Sequence, residues 1–211
     1  MTHGTRHLRF NCTACGKCCR EFRVPVTGAD VRRLTAALSS SETISDWLEW
    51  LSPEQVDMTG EPETFVNLPE GRRLLVLRHN DGGCVLLDGS LCQVHPVRPR
   101  SCQLYPWDVT LGRRGGVKRL SMLHEYALCE AMFDGRVLLV VLAELKRWER
   151  AELANYVQVV SDWNRAQTRR KRLGKRLQGA SEFVGQLVRG RVFVTEAATT
   201  SASDASTTSA C

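Results

Sequence analysis

The sequence has no long apolar segment. Its longest uninterrupted apolar run, Val137 to Ala143, is seven residues, far short of the ~20 needed to span a bilayer. The polar opening from Met1 to His7 carries no secretory leader pattern. No membrane partner is therefore expected, and the expected compartment is the cytoplasm, where disulfides are uncommon. Phosphate-cradling loops are also missing, since neither a G-x-G-x-x-G nor a Walker pattern occurs. There is no G-x-S-x-G nucleophile elbow. A C-x-x-x-C-x-x-C run fails because Phe22 stands where a third cysteine would follow Cys15 and Cys19. These absences count against dinucleotide enzymes, P-loop NTPases, serine hydrolases and radical enzymes using S-adenosylmethionine. Cysteine is absent from Glu130 to Ala210, and acidic residues are absent from Arg165 to Arg176.

Cysteine is abundant in the first part of the chain, where eight of the nine fall between Cys12 and Cys129. A disulfide framework does not suit a reducing compartment, and eight merely buried thiols would not cluster in this way. Metal ligation as thiolate accounts for the pattern. The formal charge of +6 assumes neutral cysteines, so it must be recounted with ligands and ions together. A basic total does not by itself point to nucleic acid or membrane.

The cysteines also divide the 211 residues. Residues 1–133 read as a cysteine-cluster metal-binding domain, residues 134–194 as a helical extension packed on it, and residues 195–211 as a disordered tail of Thr, Ser and Ala. The fold class is α+β, a small irregular cysteine-rich layer with short strands supported by C-terminal helices. Phe22 to Val26 alternates like a short strand, with Pro25 pushing it to an edge. Thr27 or Asp30 caps a helix through Leu38, with Val31, Leu34 and Leu38 on one face. Ser45 caps a second helix carrying Trp47, Leu48 and Leu51, stopped by Pro53. Leu74 to Leu77 and Cys84 to Leu87 read as strands around the turn Asn80 to Gly83. Asp88-Gly89 then returns the chain through Leu91 to Val94, a hairpin expected to hold Cys84 and Cys92 close across its two arms. Between Val137 and Trp163 the apolar spacing predicts one long helix or two shorter ones, although Val137 to Val141 alone would also suit a strand. Arg165 to Arg176, with seven basic residues, reads as a solvated helix.

The strongest motif is Cys12-x-x-Cys15-Gly16-x-Cys18-Cys19. A C-x-x-C loop lets two sulfurs converge on one ion, and Gly16 permits the tight turn this needs. Cys12, Cys15 and Cys18 also match the first three positions of the run that grips a four-iron cluster in ferredoxins. Cys18 and Cys19 are adjacent, so serving two ions, or bridging, suits them better than sharing one. Cys84, Cys92, Cys102 and Cys129 make up the second group. Eight thiolates suffice for two four-sulfur sites, and soft sulfur favours zinc or iron–sulfur over magnesium or calcium. The spacing tips the expected cofactor slightly towards a 4Fe–4S cluster over zinc. Lys17, Arg20, Arg98 and Arg100 are placed to offset ligand charge and to donate to sulfur. His95 is a further candidate ligand, but the thiols already suffice, so packing beside Pro96 is the simpler expectation.

Together with Cys84-Val85-Leu86-Leu87, Cys92-x-Val94, Arg98-Pro99-x-x-Cys102 and Tyr105-Pro106, the first cluster resembles the C-x-x-C-x-x-C-C cysteine-cluster family of bacterial zinc- or iron-chelating domains. The likeness covers about residues 10–130. It implies that Cys12, Cys15, Cys18, Cys19, Cys84, Cys92, Cys102 and Cys129 are the metal ligands. His95 stands where an aromatic is expected, and Gln103 where an arginine often follows the cysteine. Cys129 is the loosest match. The expected function is a metal-binding protein carrying a zinc or iron–sulfur site, with no catalytic residue assigned. Two rivals remain. One is a protein-modifying enzyme, because the family is similar in motif to flagellin lysine methylases, which use S-adenosylmethionine and are longer. The other is a zinc-dependent nucleic-acid-binding regulator using Arg165 to Arg176. No aromatic residue interleaves those charges, so neither base stacking nor a nucleic-acid partner is expected.

The terminal Cys211 is far in sequence from the other thiols. Replacing it by serine, or deleting Ala197 to Cys211, should leave metal content and thermal stability unchanged. Metal analysis and a melting curve check this, and loss of bound metal on Cys211→Ser alone would refute it.

Overall fold

The computed structural model describes residues 7–10, 12, 14–38, 43–56, 62–123 and 136–190. Its centre is a three-stranded antiparallel sheet in the order β2–β4–β3. β2 is Leu48–Leu51, β3 is Val66–Leu68 and β4 is Gly71–Leu77. Leu74 to Leu77 are all buried, because alternate side chains of β4 enter different clusters. Leu75 and Leu77 join the main core with Val31, Leu34 and Val160. Leu74 and Val76 join Leu51 and Phe65 on the other face. A continuous apolar run is what a strand covered on both faces requires.

Three helices cover the main face. α2, Gly28–Ala37, starts at Thr27, whose hydroxyl accepts from the Asp30 N–H while the Asp30 carboxylate accepts from the Thr27 N–H. That reciprocal cap satisfies two N–H groups that the first turn would leave orphaned. α5, Leu139–Arg172, is one helix of 34 residues, about 50 Å long. Its core stripe is Tyr156, Val160, Trp163 and Gln167. α6, Ala180–Arg189, returns across it and inserts Phe183 edge-on against Trp50, Tyr156 and Trp163. α5 also covers the outer edge of β3. The Asn164 amide accepts from the Asn67 N–H and donates to the Phe65 carbonyl, and the Trp163 indole donates to the Asn67 carbonyl. Pairing those groups removes an open edge that would invite another strand.

Smaller elements surround this centre. β1, His7–Leu8, pairs with β11, Val137–Leu138. β9, Trp107–Leu111, and β10, Val117–Met122, form a hairpin after the cis Tyr105–Pro106 bond. Neither that hairpin nor α6 was expected from the sequence. Among the described residues no helix is long and apolar enough to cross a membrane. The tail from residue 195 lies outside the described residues.

An α+β fold with helices after the cysteine-rich part is what the sequence implied, but several local expectations change. Ser45 does not cap a helix through Leu51. α3 is the single turn Ile44–Trp47 started at Thr43, and Leu48 to Leu51 pair instead with Leu77 to Leu74. Sheet pairing and burial override a short run's helical spacing. Phe22 to Val26 makes only an isolated bridge, Pro25 to Val76, since proline has no N–H to extend a ladder. Val137 and Leu138 are strand, and helix starts at Leu139. Four basic residues, Arg169 to Arg172, fill the last turn of α5, where they complement the negative end of the helix dipole.

Tyr156 is fully enclosed, and among the described residues its hydroxyl has no hydrogen-bond partner. Burial pushes its pKa above the ordinary tyrosine value. In the unfolded chain Tyr156 loses its proton above about pH 10, while the folded chain keeps it. Stability is therefore complete below that pH and falls as pH rises beyond it. Tyr156→Phe should stabilise the protein by up to about 1 kcal/mol at neutral pH and flatten the loss above pH ~10. Urea unfolding at pH 8 and pH 10.5 measures both.

Candidate metal centre

The first cluster is organised by Gly16, whose φ of 70° opens α1, Lys17–Glu21. This left-handed residue is cheap only for glycine, and its carbonyl accepts from the Cys19 and Arg20 N–H groups. Cys18 and Cys19 thus occupy the first turn of α1, with their sulfurs 4.0 Å apart.

Two minimal hairpins supply the next ligands. β5, His79–Asn80, pairs with β6, Gly83–Cys84, and β7, Leu87–Asp88, pairs with β8, Leu91–Cys92. Cys84 therefore lies opposite His79, and Cys92 opposite Leu87. The expected single hairpin with the two cysteines across its arms does not form, because Val85 and Leu86 turn the chain between β6 and β7. What repeats is a local pattern. The Leu86 N–H faces the Cys84 sulfur and the Val94 N–H faces the Cys92 sulfur, each favouring the charged form of its thiol. In both cases the donor lies two residues on, and its side chain is buried in the core. Backbone N–H groups aimed at sulfur stabilise the thiolate form. Cys102 comes from α4, Arg100–Leu104.

Cys12, Cys15, Cys18, Cys19, Cys84, Cys92 and Cys102 all line one cavity of about 400 Å³. Cys12 is exposed and Cys84 buried, with the others between. His95 lines the same cavity. Cys129 lies outside the described residues. Among the described residues no three histidine, cysteine or acidic side chains stand in closed coordination around one point. The donor set nevertheless fits a thiophilic metal, because seven thiols from four chain segments share one chamber and soft sulfur is the ligand such metals select.

The electrostatics follow from this crowding. Hydrogen bonding to Cys19 holds the Cys18 thiol below the usual range, against its burial, and the same bond pushes Cys19 up. Once one of the pair has ionised, the remaining S–H stabilises the thiolate beside it, so the first proton leaves easily and the second with difficulty. Burial raises Cys84, Cys92 and Cys102. Every pair among Cys18, Cys84, Cys92 and Cys102 is also close enough for one thiolate to oppose the other's ionisation. Arg98 favours the charged form of Cys18, Cys92 and Cys102. Its hydrogen bonds go elsewhere, however, to the Cys102 and His95 carbonyls. Arg20 likewise bonds the Cys15 and Gly89 carbonyls, and Arg100 bonds Glu152 and Gln103. These guanidinium groups fix the loops that carry the sulfurs rather than donating to the sulfurs.

Two further contributions to the site were not evident from the sequence. One is the pair of N–H donors at Leu86 and Val94, which the repeated cysteine, any residue, aliphatic spacing could have signalled. The other is an aromatic wall on the same cavity. It consists of two ring pairs, Phe10 with Trp107 and Phe22 with Tyr105, at centroid distances of 5.4 and 5.5 Å.

The CxxCxxCC family, described as "Putative zinc- or iron-chelating domain", matches residues 11–126, more than half of the chain. The match stops short of Cys129. No curated protein and no solved structure matches.

Gly83 joins the two cysteine groups directly. A Cβ there would lie 2.7 Å from both the Arg20 Cα and the Cys19 carbonyl oxygen, at a φ of 111°. Gly89 also has a positive φ, 59°, but a Cβ there meets nothing within 4 Å. Gly83→Ala should therefore cost about 3 kcal/mol or more and Gly89→Ala about 1 kcal/mol. Denaturant unfolding of the two variants checks the order, and equal costs would contradict the close approach of α1 to β6.

Proposed function

The chain belongs to the CxxCxxCC family of zinc- or iron-chelating domains, and from that premise we propose that it holds metal through thiolates, with Cys18, Cys84, Cys92 and Cys102 as an inner four-ligand set. The observation that carries this reading is the one cavity that all four sulfurs line, in which each pair lies within electrostatic reach. Thiolates that repel one another in a partly buried chamber are relieved by a shared cation, and metal binding releases the thiol protons. Cys12, Cys15 and Cys129 remain as an outer set, with Cys12 on its exposed side, and Cys19, 4.0 Å from Cys18 and opposed in the same way by Cys18, Cys92 and Cys102, is placed to bridge the two sets.

A four-iron cluster is the first candidate, supported by the ferredoxin-like spacing of Cys12, Cys15 and Cys18. Zinc is the second, supported by the paired turns in which Cys84 and Cys92 each face an N–H from two residues on. An iron cluster would supply electron transfer, whereas zinc closed by four thiolates would supply structure. In either case the protein's residues supply the converging sulfurs, the backbone N–H groups and the Arg98 charge, and the aromatic wall limits solvent on one side.

Purification without oxygen, followed by metal analysis and an absorption spectrum, tests the assignment. A brown protein containing iron and sulfide supports the cluster, and a colourless protein with zinc supports the second candidate. Serine at Cys18, Cys84, Cys92 or Cys102 should each remove most of the inner metal, and Cys12→Ser should remove less. Because thiol protons compete, apparent affinity should rise between pH 6 and pH 8. A folded protein with free thiols and neither metal, prepared with and without oxygen, overturns the reading. Equal metal loss in Cys12→Ser and Cys102→Ser overturns the division into two sets.

A further inference from the structure

α4 is five residues long, and its N-cap, Pro99, offers no side-chain cap. A helix of that length does not hold itself, yet it carries Cys102. The support comes from α5, which lies beyond the residues matched to the family. Glu152 of α5 accepts from Arg100 Nε at 3.2 Å, and its two oxygens accept from Arg33 of α2 at 2.8 and 3.2 Å. Arg33 also pairs with Asp30, which is 3% exposed. The Arg100 guanidinium lies 4.7 Å from the ring centre of Trp148, one turn earlier on α5.

From Arg100 the bonds run on to the cysteine. Arg100 donates to the Gln103 side-chain oxygen at 3.1 Å, and the Gln103 amide donates to the Arg98 carbonyl at 2.7 Å. Arg98 Nε then donates to the Cys102 carbonyl at 3.4 Å. We infer that Glu152 is a positioning residue for the metal centre, holding α4 through Arg100 so that the Cys102 sulfur faces the other thiols. This rests on the reading of Cys102 as a ligand. It extends the centre into a helix outside the family's matched region. Outer partners of metal ligands act in this way, and losing them weakens binding about 10- to 100-fold.

The full chain tests this with cobalt(II) as an optical probe, because sulfur-to-cobalt absorption reports the number of thiolates bound. Glu152→Gln removes the shared charge. Arg100→Gln cuts only the α4 arm and leaves Arg33 with Glu152 and Asp30, which keeps the test available if the first variant folds poorly. Asp162→Asn is the control, since that exposed residue of α5 pairs only with Arg165 among the described residues, apart from a bond from Gln158. Both test variants should lose cobalt to a chelator about tenfold faster than wild type, and about a quarter of the sulfur-to-cobalt absorption per ion should disappear. In the metal-free proteins, alkylation of Cys102 should rise several-fold relative to Cys84, a local change that general loosening would not produce. Asp162→Asn should match wild type throughout. Wild-type cobalt release in both variants, or Cys84 and Cys102 alkylation rising together, overturns the role of Glu152. A wild type that takes up no metal overturns instead the reading of Cys102 as a ligand, while the alkylation ratio still shows whether Glu152 holds α4.

Discussion

Ionising Cys18, Cys84, Cys92 and Cys102 together sets thiolate against thiolate, and the fold must hold the segments that carry them in place against that repulsion. Cys18, Cys84, Cys92 and Cys102 arrive on α1, on the ends of two hairpins and on α4, none of which is stable alone. β5 with β6 and β7 with β8 are pairs of two-residue strands, and isolated hairpins of that size do not persist in water. Their order comes from anchoring. Leu86 and Val94, whose N–H groups serve the sulfurs, are buried in the same core as Val31, Leu75 and Phe183. The sheet and helices therefore fix Cys84 and Cys92 through the residue two positions after each.

This explains how much was legible in the sequence. The cysteine order and Gly16 identified the family and the metal chemistry because short spacings are local facts. The Thr27–Asp30 cap was legible for the same reason. Leu48 to Leu51 were not, since a four-residue apolar run takes its conformation from its partner, and β4 lies more than twenty positions on. Cys84 and Cys92 were expected to face each other in one hairpin. Asp81-Gly82 and Gly89-Ser90 instead close two hairpins, and nothing in the spacing between them shows that Val85 and Leu86 form a turn. α6 went unnoticed because its signal, Phe183 and Leu187 on one face, needs the surface of α5 to give it meaning.

Charges show the same division between local and distant information. Arg98 and Arg100 stand beside Cys102 in sequence, which suggested bonds to sulfur. In the fold, their guanidinium groups reach carbonyls and carboxylates that hold the ligand segments still, and the field of Arg98 acts on the thiols. A strongly hydrated lysine would not reproduce this, because each contact uses the planar fork of the guanidinium to reach two acceptors at once. Glu152, Arg33 and Asp30 are partly or wholly shielded from water, and charges in such places need their partners. The long helix and the cysteine-bearing segments consequently share one polar seam as well as one apolar core.

The short pairing at Pro25 and Val76 also bears on how such chains can vary. Val26 donates to the Leu75 carbonyl and Leu77 to the Val24 carbonyl, so the chain leaving Cys19 and the chain approaching Cys84 run side by side. Everything between residues 27 and 74 is an excursion that departs from and returns to one place. Its surface turns can lengthen without altering the separation of the two cysteine groups. Each doubling of a flexible loop costs only about 0.6 kcal/mol. The number of residues between Cys19 and Cys84 is thus a poor measure of kinship for this architecture, and the pairing that closes the excursion is a better one.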